Sequence, residues 1–170
     1  AFIALGATAT DHGHPSALTC DLSLADCSDL YADILSGQAT NTQKEIFRGQ
    51  MLTEMAQMSI EDGLGMQLHA GSIRNHSPTV FQRFGPDKVF DIPLRTDFVS
   101  ALKPLFYSHV HDTPLTLLLF PLDETTYFLQ LAPLSGAYPF LLFWPSWWFF
   151  FSPSVLLLFL LFTTLLFFYS

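Results

Sequence analysis

Four short apolar runs of strand length punctuate this chain, and the segments between them carry helical periodicity. The runs are Phe2 to Thr10, Leu64 to His69, Leu115 to Phe120 and Phe140 to Trp144. Each is mostly continuous in apolar or β-tolerant residues, which predicts buried strands. The first ends in Asp11-His12-Gly13-His14-Pro15, which reads as a loop because Gly and Pro punctuate it. Ser23 with Asp26 forms a capping-box pattern ahead of Cys27, Leu30, Tyr31 and Ile34 at helical spacing, and Gly37 stands where a terminal glycine would end that helix. Thr42 with Glu45 repeats the pattern before a longer helix through Ile46, Met51, Met55 and Met58, stopped at Gly63. The three methionines read as a packing face. Thr96 or Asp97 opens a further helix through Phe98, Ala101, Leu102 and Leu105, and Asp123-Glu124 begins a short helical turn.

Strands alternating with helices predict an α/β fold with a parallel sheet. Polar, charged or aromatic residues gather just past each strand: Asp11 and His12, His69 and Arg74, Asp123 and Glu124, Trp147 and Trp148. In a β/α barrel the chemistry sits at those strand ends, because the loops there converge on one mouth. Periodicity alone fits a doubly wound open sheet nearly as well.

The formal charge of −8, from 7 basic and 15 acidic residues, speaks against a nucleic-acid partner, since phosphate binding needs a basic stripe. A small anionic ligand would have to be held by a few placed cations. Cys20 and Cys27 stand alone, so the expectation is two reduced thiols in a cytoplasmic chain rather than a disulfide or a zinc site. The opening at Ala1 inside an apolar run, without an initiator Met, reads as a truncated chain.

Charge is unevenly placed. The last basic residue is Lys103 and the last acidic one Glu124. From Val155 to Tyr169 the chain is almost entirely Leu and Phe, apolar all round, where the surface helix of a barrel needs a polar outer face. Two readings of residues 149–170 stand side by side. One is a membrane span, in which Pro153 to Tyr169 reaches the lower limit of length and Phe149 to Ser152 make it comfortable, without flanking Lys or Arg to orient it. The other is a coding sequence that has drifted, from about Phe106 onward, toward the pyrimidine-rich codons shared by Leu, Phe, Ser, Pro and Thr.

Specific strings add to this. Gln50-Met51-Leu52-Thr53-Glu54-Met55, Met66-Gln67-Leu68-His69-Ala70-Gly71-Ser72-Ile73-Arg74-Asn75-His76, Phe84-Gly85-Pro86-Asp87 and Trp147-Trp148-Phe149 resemble the uronate isomerase family of the amidohydrolase superfamily. Thr10-Asp11-His12-Gly13 fits the family's preceding strand end. The resemblance implies that residues 1–148 are about the fourth to seventh β/α units of a (β/α)8 TIM barrel, with 149–170 as an aberrant apolar tail. It implies aldose–ketose isomerisation of D-glucuronate to D-fructuronate, and of D-galacturonate to D-tagaturonate. It also implies a divalent metal, zinc by expectation, whose principal ligands lie on first and eighth strands absent from this chain. A fragment with no activity of its own is therefore expected.

Isomerisation through an enediol needs a base near C2 and stabilisation of a developing oxyanion. His69 is the candidate for contact with the sugar oxygens, and Asp11 and His12 for orienting a hydroxyl or relaying a proton. Arg74 suits the substrate carboxylate, because its planar fork donates two parallel hydrogen bonds. Trp147 could stack on the sugar's apolar face. Each has a plainer rival: His69 as a satisfied core histidine, Asp11 as a loop cap, Asp123-Glu124 as a helix cap. His12-Gly13-His14 mimics a metal pair but aligns with the wrong strand, and His109-Val110-His111 reads as a solvated loop on the opposite rim. Two other classes stay open: a small membrane-associated protein anchored by its tail, and a metal-dependent hydrolase of the same superfamily.

Overall fold

The computed structural model describes residues 2–88, 91–109, 115–122 and 124–143. The main sheet has strands β1 (Ala9–His14), β2 (Gly65–Ala70), β5 (Leu117–Leu119) and β6 (Leu141–Phe143), in that spatial order and all parallel. A two-stranded antiparallel ribbon, β3 (Ser72–Ile73) with β4 (Ile92–Pro93), stands apart from it. Between β1 and β2 run α1 (Leu24–Ser36) and α2 (Asn41–Asp62). Between β2 and β5 come α3 (Pro78–Phe84), α4 (Phe98–Ala101) and α5 (Lys103–His109); α6 (Glu124–Thr126) and α7 (Ala132–Ala137) precede β6. The order of the four parallel strands follows the chain without reversal, whereas a doubly wound sheet turns back at a switch point.

The first strand differs from expectation. Ile3–Leu5 form a single 3-10 turn closed by Gly6 at φ 92, and the strand begins only at Ala9. It then runs through Asp11, His12, Gly13 and His14, so those residues belong to the ladder rather than to a loop. Six consecutive partners on β2, from Ala9↔Gly65 to His14↔Ala70, hold them there. Pairing satisfies their backbone groups, which outweighs the turn preference of Asp and Gly.

Ser23 caps α1 as its spacing predicts, its hydroxyl accepting from the Asp26 N–H, and Gly37 closes the helix at φ 74. The capping box of α2 lies two residues earlier than Thr42 and Glu45: Thr40 accepts from the Gln43 N–H while Gln43 Oε1 accepts from the Thr40 N–H at 2.9 Å. Its buried face is Gly49, Gln50, Leu52, Thr53, Ala56 and Ser59, not the methionines; Met51 and Met55 are half-buried and Met58 is exposed. The smaller residues win this face because the β1–α1 loop presses close. Gln50 accepts from the Leu22 N–H at 2.9 Å and Thr53 donates to the Cys20 carbonyl at 2.6 Å. At Gly49 a Cβ would meet Cys20 Sγ at 3.0 Å and the Leu18 carbonyl at 3.2 Å.

Side chains alternate across a strand, so register sorts the sheet into two faces. Met66, Leu68, Leu117, Leu119 and Leu141 share one face and pack with Leu52, Ala56, Phe98, Leu102, Phe106 and Leu131 from the helices. Each fully buried leucine there contributes about 1.5–3 kcal/mol relative to exposure. The other face, with Asp11, Gln67, His69, Leu118 and Leu142, is more open: Leu142 is 50% exposed. The third expected helix appears as α4 and α5, divided at Leu102, with Asp97 as its cap accepting from the Ser100 N–H. His109 is the last residue of α5 rather than a loop residue. Tyr127–Leu131 wind as a π-turn between α6 and α7; Pro133 has no N–H for the Leu129 carbonyl, and the widened turn precedes it.

No helix among the described residues is long and apolar enough to cross a membrane. The apolar tail 149–170, with Asp123, His111 and Trp147-Trp148, lies outside the described residues.

Candidate active site

The C-terminal half of β1 and β2 brings two of the expected residues together. Asp11 is level with Gln67 and His69 with Gly13, so Asp11 and His69 are diagonal neighbours on the open face. His69 Nδ1 lies 2.8 Å from Asp11 Oδ1, with side-chain exposures of 24% and 62%. The imidazole also stacks on Phe120, ring centroids 4.3 Å apart and tilted by 39°. Phe120 reaches that position because its N–H donates to the Leu68 carbonyl at 3.1 Å, extending the β5 ladder by one residue. A carboxylate on Nδ1 selects the tautomer with the proton there, which leaves Nε2 as the basic nitrogen. The pair therefore has the chemistry of an oriented general base.

His12 is not part of it. Its Nε2 lies 3.0 Å from Thr10 Oγ1, and Thr10 in turn shares a 3.1 Å hydrogen bond with Ser59 of α2. Thr10, His12 and His14 thus face the helices, opposite to Asp11. Burial holds the His12 imidazole below its usual range, with Asp11 pulling the other way. His14 is lowered too, first by burial and then by His12 and Arg48. A lowered imidazole pKa means that the unfolded chain takes up protons first as pH falls. Stability is then intact above the ordinary value of 6.5 and is lost as pH drops through the folded values. The urea midpoint should accordingly fall between pH 7.5 and pH 5, and His12→Gln with His14→Gln should flatten that slope; a midpoint that holds steady or rises would refute the assignment.

Arg74 sits on a long excursion between β2 and α4 that the sequence pattern left unassigned beyond its opening glycine. Its Nε donates to Asp91 Oδ2 at 3.3 Å, and its Nη1 lies 3.6 Å from Asp87 Oδ1. Asn75, at φ 54, donates its N–H to Asp91 Oδ1 at 3.0 Å and accepts from the Asp87 N–H at 2.9 Å; Asp87 itself is at φ 58. Asn and Asp tolerate the left-handed region better than other side chains. That preference beside an Arg was the available signal for this network. Phe120 as the partner of His69 had none, since only sheet register reveals it. Among the described residues no group of three or more His, Cys, Asp or Glu side chains gathers that could hold a metal ion.

Residues 1–154 match the family model described as glucuronate isomerase. The chain is 56% identical over 146 residues to a uronate isomerase of Xanthomonas campestris, covering 86% of this chain and 31% of the relative. It is 57% identical over 142 residues to a uronate isomerase of Brucella canis, covering 84% and 30% respectively. The crystal structure of glucuronate isomerase from Caulobacter crescentus superposes with a TM-score of 0.85 at 52% identity, over 91% of this chain and 32% of that one. A uronate isomerase structure from Thermotoga maritima, at 22% identity and a TM-score of 0.79, shares the fold. The chain thus spans about a third of the length of the curated relatives it matches.

Proposed function

The chain belongs to the glucuronate isomerase family, and from that membership we propose that it forms one side of the sugar-acid mouth of an aldose–ketose isomerase. In this reading residues 1–148 are about four β/α units of a (β/α)8 barrel and 149–170 an apolar tail. The parallel strands in chain order, with helices packed on one face, support it. The open face then looks into the barrel, where the remaining strands would meet it. The substrate is a hexuronate: D-glucuronate going to D-fructuronate, or D-galacturonate to D-tagaturonate. A cytoplasmic location goes with the same proposal.

The observation that carries the chemistry is the Asp11–His69 pair at the C-terminal end of adjacent parallel strands. Hydrogen must leave C2 and reach C1, so a base has to reach C2 and return the proton one carbon away. His69 Nε2 is that base, Asp11 fixes its tautomer, and Phe120 limits the swing of the ring. Arg74 takes the carboxylate of the substrate and Trp147 the sugar face. His12, facing α2, acts only through its strand. The family's divalent metal, zinc by expectation, would supply Lewis acidity. A catalytic zinc takes three protein ligands; the Asp11–His69 pair offers two at most, and no group of three or more His, Cys, Asp or Glu gathers among the described residues, so these residues do not fit it.

Two measurements test this. The purified chain should not convert D-glucuronate with or without added divalent metal. Grafted in place of the matching segment of the Caulobacter crescentus glucuronate isomerase, residues 2–143 should sustain turnover. An active isolated chain, or a folded but dead graft, would count against the proposal.

A further inference from the structure

Arg74 carries the weight of carboxylate recognition in the hexuronate reading, on which this inference rests, yet two aspartates already face it. Together the three side chains carry a net charge of −1, the wrong sign for an anionic ligand. The two aspartates are not alike. Asp91 is the more covered, with its side chain 21% exposed. One of its oxygens accepts from Arg74 Nε and the other from the Asn75 N–H. A single carboxylate thus fixes the side chain of one residue and the backbone of the next. It is itself anchored, because β4 starts at the following residue, Ile92, and pairs with Ile73 immediately before Arg74. Asp87 is 68% exposed, and at 3.6 Å from Nη1 it is in ion-pair range but beyond a hydrogen bond. Exposed contacts of that kind are worth at most about a fivefold factor.

We propose that Asp91 is a positioning residue that aims Arg74, and that Asp87 is a replaceable stand-in on the guanidinium edge that a hexuronate carboxylate takes. With Nε committed to Asp91, the Nη edge is the one turned to Asp87. A carboxylate bound there donates nothing and accepts two parallel N–H bonds, better geometry than Asp87 achieves from its turn. Asp87 is exchanged on binding, and Asp91 stays.

The two aspartates should therefore respond with opposite signs. In the full chain, the Arg74 Nε–H resonance is followed while D-glucuronate is added, with D-glucose as the uncharged control. The wild-type signal should shift with D-glucuronate alone. Asp87→Asn should tighten binding about threefold to fivefold by removing the competitor. Asp91→Asn, which keeps an acceptor oxygen for Asn75, should weaken binding by a similar factor and speed Nε–H exchange, with Asp91→Glu recovering part of both. Simple electrostatics would tighten both Asn variants and simple loss of support would weaken both, so either same-sign result overturns the proposal alone. An Asp91→Asn chain that unfolds assigns Asp91 to structure and also overturns it. If Arg74 ignores D-glucuronate in both the wild-type and Asp87→Asn chains, the hexuronate reading falls and takes this proposal with it.

Discussion

Replacing Gly71 by alanine should lower the unfolding free energy by about 3 kcal/mol, a large effect for one added methyl group. Gly71 links β2 to the excursion that carries Arg74, and it holds φ at +89. An L side chain in the left-handed region costs roughly 1–2 kcal/mol. The added Cβ would also collide with Thr96 Oγ1 and lie 3.2 Å from the Leu94 carbonyl oxygen. Thr96 can rotate away only by surrendering its 3.3 Å hydrogen bond to that carbonyl, in a site where it is 9% exposed. The carbonyl belongs to backbone held by the Leu94 N–H donating to the Gly71 carbonyl at 2.7 Å, so it cannot retreat freely. Overpacking of this kind adds about 1–3 kcal/mol. Adding Thr96→Ala to Gly71→Ala should therefore restore roughly half the loss, because it removes the clash and leaves the backbone term. Urea unfolding of the single and double variants measures both parts. A Gly71→Ala chain within about 0.5 kcal/mol of wild type would show that the junction relaxes without penalty.

That junction marks the limit of what the sequence makes legible. The α/β class, the strand–helix alternation, the Ser23 and Asp97 caps and the Gly37 and Gly63 stops all follow from local chemistry, and all appear. Local chemistry is weaker where two segments compete. Asp11-His12-Gly13-His14 has the composition of a loop, but its four partners on β2, Gln67 to Ala70, keep it extended, a long-range choice no window of sequence contains. The methionines of α2 look like a core face by spacing alone. The loop at Leu18 to Leu22 presses on Gly49, Gln50 and Thr53 instead, and the helix rotates accordingly. The same applies to the candidate site. His69 and Arg74 stand out as residue types, but which neighbours touch them is decided by register and by the hairpin. His12 sits beside Asp11 in sequence and across the sheet from it in space, the period-two consequence of a strand where a loop was expected.

This separation yields the second large effect, on turnover of the grafted enzyme. His69→Asn should lower kcat by about 10²–10⁴, the usual contribution of a positioned general base. Asp11→Asn should lose a comparable factor although it leaves shape and volume almost unchanged. An amide beside Nδ1 donates as readily as it accepts, so the ring can turn to the tautomer that carries its proton on Nε2, where it no longer serves as a base. For both, KM should stay within about threefold, since the interaction removed is one made chiefly in the transition state. Arg74→Lys should do the reverse, raising KM more than it lowers kcat, because a point charge replaces a two-pronged donor in ground-state binding. His12→Gln should leave kcat within about threefold while altering the pH dependence of stability, since its imidazole faces Thr10 and the Ser59 turn of α2. The contrast between His12 and Asp11, neighbours in the chain, is the sharpest check on the two-faced sheet. A His12→Gln graft as crippled as Asp11→Asn would place both on one catalytic face and contradict the register of β1 against β2.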